Sequence, residues 1–131
     1  MNIIDSCGWL EYFANGPNAK FFASPIEDTK NLLVPTICIF EVFKCVHQQR
    51  GENPALQAVA LMHQGKIEVL DDSYALYAAK CSFDYKIPMA DSIILAISQL
   101  KKATIWTQDV DFKGIDNIKY INPKKGKTSN K

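Results

Sequence analysis

The chain has two histidines, His47 and His63, and one arginine, Arg50. Each histidine falls in an expected helix without a partner at metal-ligand spacing, so a solvated or core role is expected for both. That scarcity argues against a metal-free ribonuclease, which needs a paired general acid and base of suitable pKa. The four cysteines, Cys7, Cys38, Cys45 and Cys81, form no CxxC pair and read as reduced thiols. Cys38 and Cys45 share one helix as packing residues, and Cys45-Val46-His47 lacks the second half of a zinc site. There is no Gly-rich phosphate loop and no internal repeat. The longest apolar stretch, Leu32 to Val46, is interrupted by Pro35, Glu41 and Lys44 and is too short to span a bilayer. Met-Asn-Ile-Ile-Asp carries no basic leader or cleavage site, so no signal peptide is expected, and the location expected is cytoplasmic.

What is present describes one folded domain. An apolar fraction of 47% with 22% charged residues over 131 residues lies far from disorder and leaves little room for a second core. The net charge is +1, unevenly placed. Residues 122–131 hold four lysines and no acid, which leaves 11 basic against 14 acidic residues, or −3, in the body. Total charge therefore does not mark the chain as binding nucleic acid. The expected division is a domain over 1–122 and a basic flexible tail over 123–131.

Strand and helix signals alternate. Asn2–Ile4 reads as a strand stopping at Asp5, and Ser6 as the cap of a helix through about Ala14, ended by Asn15-Gly16-Pro17. A weak helix over Asn18–Phe22 is limited by Pro25. Asn31–Val34 is a strand, followed by a helix from a Thr36 cap to Arg50 with Gly51 as its stop. Pro54–Gln64 reads as helix, Lys66–Leu70 as strand, and a further helix runs from Asp72 or Ser73 to about Asp84. Ala90–Lys102 has helical apolar spacing, Ala103–Thr107 is a strand, Asp109–Gly114 a tight connection, and Ile118–Ile121 the last strand. Short strands joined by helices imply an α/β fold with a mainly parallel central sheet and helices on both faces. Trp9, Phe13, Phe40 and Phe43 read as core, with a few available for an apolar dimer face.

Four acids stand alone at the edges of apolar segments: Asp5, Glu41, Asp91 and Asp109. Singly, Asp5 is a turn residue or helix cap, Asp91 a favourable charge at a helix N-terminus, and Asp109 a loop acid. Glu41 is harder to explain, because Ile37, Ile39, Phe40, Val42 and Phe43 surround it with apolar side chains. In open parallel sheets the ligand site lies outside the carboxyl ends of the strands, which puts Asp5 and Asp109 on one rim within reach of the other two. Converging carboxylates raise one another's pKa unless a cation neutralises them. Hard divalent ions take oxygen ligands, and Mg²⁺ combines a few carboxylates with substrate phosphate. Phosphodiester hydrolysis fits such a site best.

These residues also carry a resemblance. Asp5-Ser6, Pro35-Thr36-Ile37 with Glu41, Ala90-Asp91-Ser92-Ile93-Ile94-Leu95-Ala96, and Thr107-x-Asp109-x-Asp111-Phe112 resemble the four acidic motifs of the PIN domain, in that family's order. Length and element order are similar to single-domain VapC-type toxins. The resemblance implies a PIN-like nuclease domain in which Asp5, Glu41, Asp91 and Asp109 hold Mg²⁺ or Mn²⁺ and direct water at an RNA phosphodiester. Asp111 matches the second acid of the last motif and is a further candidate ligand, and Thr107 and Ser6 orient the site. It also implies a homodimer, and a small antitoxin that inserts a basic segment into the acidic rim. One position departs: Gln108 stands where the family often has a basic residue, which shifts substrate grip to lysines such as Lys44, Lys86, Lys113 and the tail.

Other readings compete. A haloacid-dehalogenase-type phosphatase needs a second acid two residues after Asp5, where Cys7 stands, and a response-regulator receiver needs an acidic pair and a phospho-acceptor that are absent. The non-enzymatic alternative is a catalytically inactive PIN-like interaction module whose acidic rim binds a basic partner by bidentate pairs.

Overall fold

A computed structural model describes residues 1–124, so most of the expected basic tail, 125–131, lies outside the described residues. The elements are β1 (Asn2–Ile4), α1 (Ser6–Phe13), α2 (Ala19–Glu27), β2 (Leu32–Pro35), α3 (Thr36–Arg50), α4 (Glu52–Met62), β3 (Lys66–Glu68), α5 (Asp72–Tyr85), α6 (Met89–Lys101), β4 (Thr104–Thr107) and β5 (Ile118–Tyr120). Short 3₁₀ turns cover Thr29–Asn31 and Val110–Phe112.

The sheet order is β3-β2-β1-β4-β5, and every pairing is parallel. Consecutive residues of the inner strands are buried, Ile3 and Ile4 on β1 and Leu32, Leu33 and Val34 on β2. Strand side chains alternate between faces, so burial of both neighbours means that both faces are covered. Helix α3 packs on α4, and α5 on α6. The strand order turns back at β1, between β2 on one side and β4 on the other, and the carboxyl ends flanking such a point form a crevice. The register pairs Ile4 with Trp106, so Asp5 and Thr107 leave the sheet side by side.

Several boundaries differ from expectation. Ser6 is the first helical residue of α1 rather than its cap. Asp5 is the cap, its side chain accepting from Gly8 N at 3.0 Å. Gly8 allows the close approach this needs, since an added Cβ would lie 2.7 Å from Ile4 and the Phe22 ring. Pro25 sits inside α2 instead of limiting it. It removes the one N–H that would bond the Phe21 carbonyl near the end of the helix, and its ring is buried in the core. Pro35 ends β2, Thr36 opens α3, and the Thr36 hydroxyl accepts from Leu70 N at 3.3 Å rather than capping. Gly51 ends α3 at φ 95, as its position implied. Trp9 is buried and Phe13 and Phe43 partly so, but Phe40 is 61% exposed because α3 buries the face of Cys38, Val42 and Val46. Both histidines are exposed and all four cysteines are free.

Candidate metal centre

Asp5 is fixed from three directions. As cap of α1 it is only 3% exposed, and Oδ1 accepts from Gly8 N. Thr107, wholly buried at the end of β4, donates its hydroxyl to Oδ2 at 2.5 Å. The Cys7 thiol donates from 2.9 Å to Oδ1 and 3.1 Å to Oδ2. Burial pushes the Asp5 carboxyl up to about 6, although the bonds from Cys7, Thr107 and Gly8 pull it down; the charge of Asp109 adds to the rise. Burial and the neighbouring Asp5 carboxylate push the Cys7 thiol far above its ordinary value.

Thr107 also joins the two sides of the crevice. While its hydroxyl donates to Asp5, Oγ1 accepts from Asp109 N at 2.8 Å. Asp109 opens the turn that follows, and its Oδ1 accepts from Asp111 N at 2.9 Å. Asp91 lies in the first turn of α6. One carboxylate oxygen each from Asp91, Asp109 and Asp111 lie within 4.8 Å of one another. Burial, then the negative charge of Asp109 and the hydrogen bond to it, push Asp91 up to about 8, with further contributions from Asp5 and Asp111. Among the described residues none of these acids pairs with a lysine or arginine; the ion pair present is Lys66–Glu68, on β3.

Glu41 lies outside that group of three oxygens. It is half-buried in the second turn of α3, and Ser6 donates to its Oε1 at 2.5 Å. Three residues earlier on α3 the buried Cys38 thiol is raised by burial and then by the charges of Asp5, Glu41 and Asp91. The structure thus draws Asp91, Asp109 and Asp111 into one group, with Asp5 tied in through Thr107 and Glu41 standing off through Ser6. Sequence reasoning did not assign Cys7 to this cluster. Its signal was its place two residues after the capping Asp5, in the first turn of α1.

Gln108 is also engaged. Its Oε1 accepts from Asn18 Nδ2 at 2.9 Å, and the same Nδ2 donates to the Asn122 carbonyl at 2.9 Å. Beside the acids a cavity of about 630 Å³ opens between α1, α3 and α4, walled by Leu10, Phe13, Val46 and Leu61, with Cys7 and Gln108 also lining it.

An all-carboxylate set this close suits a hard divalent cation. Oxygen donors favour hard cations such as Mg²⁺, Ca²⁺ and Mn²⁺ over metals that prefer nitrogen and sulfur. Burial and then the neighbouring acids raise Asp91, and a bound cation would offset the part that is due to negative charge.

A family model for the PIN domain matches residues 3–118. The fold is similar to that of a toxin–antitoxin complex from Klebsiella pneumoniae, with a TM-score of 0.77, 20% identity, and 91% of this chain and 96% of that chain covered. It is also similar to the Mycobacterium tuberculosis toxin VapC20, described as cleaving the sarcin–ricin loop, with a TM-score of 0.78, 12% identity, and 94% and 100% coverage. FitAcB from Neisseria gonorrhoeae superposes with a TM-score of 0.70 at 15% identity, covering 93% and 97%. No curated protein matches the sequence.

Proposed function

Since the chain belongs to the PIN domain family, we propose that it is a metal-dependent endoribonuclease and the toxin of a type II toxin–antitoxin pair. The observation that carries this reading is the group of Asp91, Asp109 and Asp111 oxygens beside buried Asp5 at the sheet's turning point, paired with no lysine or arginine among the described residues. Asp5, Glu41, Asp91, Asp109 and Asp111 would hold Mg²⁺ or Mn²⁺. When bound, such an ion polarises a phosphoryl oxygen and lowers the pKa of the attacking water. The chain's own residues prepare the site. Thr107 sets Asp5 and Asp109 in one frame, Ser6 fixes Glu41, and the Asp91 carboxyl, raised by burial and by its neighbours, hydrogen-bonds Asp109. Hydrolysis by water leaves a 5′-phosphate and a 3′-hydroxyl.

Residues 1–122 form the nuclease domain in this proposal, supported by the bond from Asn18 to the Asn122 carbonyl that closes it. Lys44, one turn beyond Glu41, and Lys113, just after Asp111, stand nearest in sequence to the acids for gripping RNA phosphates, with Lys86 further off. A small antitoxin would place a basic segment on the uncompensated acids, and toxin–antitoxin complexes among similar structures support that partner. The protein would act in the cytoplasm; among the described residues no helix is long and apolar enough to cross a membrane.

A homodimer completes the proposal. Helix α5 exposes Leu76 (68%) and Phe83 (77%) beside a groove of about 440 Å³ lined by Leu70, Ala75, Ala79, Ser82 and Met89. In the proposed dimer a twofold axis would set the ridge of each copy in the groove of the other.

The test is cleavage-site mapping on total cellular RNA with wild type and Asp5→Asn. Discrete 5′-phosphate cuts that vanish in the variant support the reading. Unchanged cleavage sinks it, and 2′,3′-cyclic phosphate ends would mean a different chemistry. No cleavage and no Mn²⁺ binding by wild type would favour the inactive module that uses its acidic rim for a basic partner.

A further inference from the structure

We propose that Cys7 is a positioning residue for Asp5, its thiol serving as a movable hydrogen-bond donor that leaves carboxylate lone pairs available to a divalent cation. The inference rests on the metal-binding part of the reading above.

An ionised carboxylate offers about four lone-pair sites, two on each oxygen. On Asp5 two are held by donors that cannot leave. Gly8 N, part of the helix cap, takes Oδ1, and the wholly buried Thr107 hydroxyl takes Oδ2. One site remains on each oxygen, and the Cys7 sulfur stands almost equidistant from both, at 2.9 and 3.1 Å. It carries one proton, so it can occupy only one at a time, and changing between them requires no movement of the sulfur.

A third acceptor lies in reach. Thr107 Oγ1 is 3.7 Å from the Cys7 sulfur. That oxygen donates its proton to Asp5 and accepts from Asp109 N, which leaves it one lone pair. A cation taking both open sites of Asp5 would therefore leave the thiol an acceptor within the same cluster. The S–H group is a weak donor and is surrendered at little cost. The outcome is a carboxylate held in orientation before the cation arrives and released to it on arrival. Partners of metal-ligating carboxylates commonly govern affinity by about 10–100-fold.

The experiment uses the full chain stripped with EDTA, titrated with Mn²⁺ in a calorimeter as wild type, Cys7→Ala and Cys7→Ser. Thermal melts in EDTA run alongside, with kcat and KM on a cleaved RNA. Cys7→Ala is expected to bind Mn²⁺ about 10–100-fold more weakly, to lower kcat at unchanged KM, and to melt near wild type. Cys7→Ser should recover most of the affinity, since it restores a donor. Wild-type affinity in Cys7→Ala, or a serine variant no better than alanine, overturns the role of the thiol while leaving the nuclease reading intact. If wild type itself binds no Mn²⁺, both fall together. Should Cys7→Ala lose its fold, Cys7→Ser decides: affinity near wild type supports the donor role, and a loss of about 10-fold or more overturns it.

Discussion

Replacing Asp91 with asparagine should make the metal-free protein more stable while abolishing its activity. Asp91 is half-buried and faces Asp109, Asp5 and Asp111, so its carboxyl is pushed up to about 8 from an ordinary value of 3.8. Between those two values the folded chain keeps a proton that the unfolded chain has released, and stability therefore falls as pH rises through that window. The gap is worth about 1.4 kcal/mol per pH decade before screening. Because Asp91 is partly open to water, the penalty at pH 8 is taken as about 2 kcal/mol after discounting. Asp5, pushed up to about 6, adds a smaller loss of the same sign at lower pH. Asparagine carries no charge and can still donate to Asp109, so Asp91→Asn should gain about 2 kcal/mol at pH 8 and well under 1 kcal/mol at pH 5 in EDTA. Urea denaturation at the two pH values measures this. With Mn²⁺ at about a hundred times its Kd, wild type should gain roughly 2.7 kcal/mol and overtake the variant. A variant that is neutral or less stable than wild type at pH 8 in EDTA would refute the charge burden on which the metal site is argued.

The other predictions are more local. Thr107→Val removes the one hydroxyl that serves both Asp5 and Asp109 N, and should cost about 1–3 kcal/mol in urea melts. It should also weaken Mn²⁺ binding by about 10–100-fold by calorimetry. Thr107→Ser keeps the hydroxyl and should restore both; equal losses in the two variants would mean that the methyl group's packing matters, not the hydrogen bonds. Leu76→Arg on the exposed ridge of α5 should turn a dimer into a folded monomer in sedimentation equilibrium, and a dimer that persists would place the interface elsewhere.

How much of this was legible in the sequence depended on what each feature requires. The parallel α/β order, and the meeting of Asp5 with Asp109, needed only that each acid follow a strand directly, and the Ile4–Trp106 register delivers that meeting. Details that depend on helix phase were not legible. Placing the cap at Ser6 instead of Asp5 moves α1 by one residue, and one residue turns a helical side chain by about 100°. With Asp5 as cap, Ser6 bonds Glu41 and Cys7 bonds Asp5, a division that the expectation for Ser6 did not specify. Phe40 was misjudged for the related reason that an apolar residue beside Val42 need not share its face. Asp111 was undecided because its place depends on a single tight turn, in which its N–H binds Asp109 and its carboxylate joins the group. The candidate site was therefore readable in its charges and, through the resemblance, in Thr107 and Ser6 as orienting donors, but not in which carboxylate oxygen each donor takes. Those bonds decide which of the lone pairs on Asp5 remain open to a cation, so the division of labour among Ser6, Cys7 and Thr107 had to come from three-dimensional geometry.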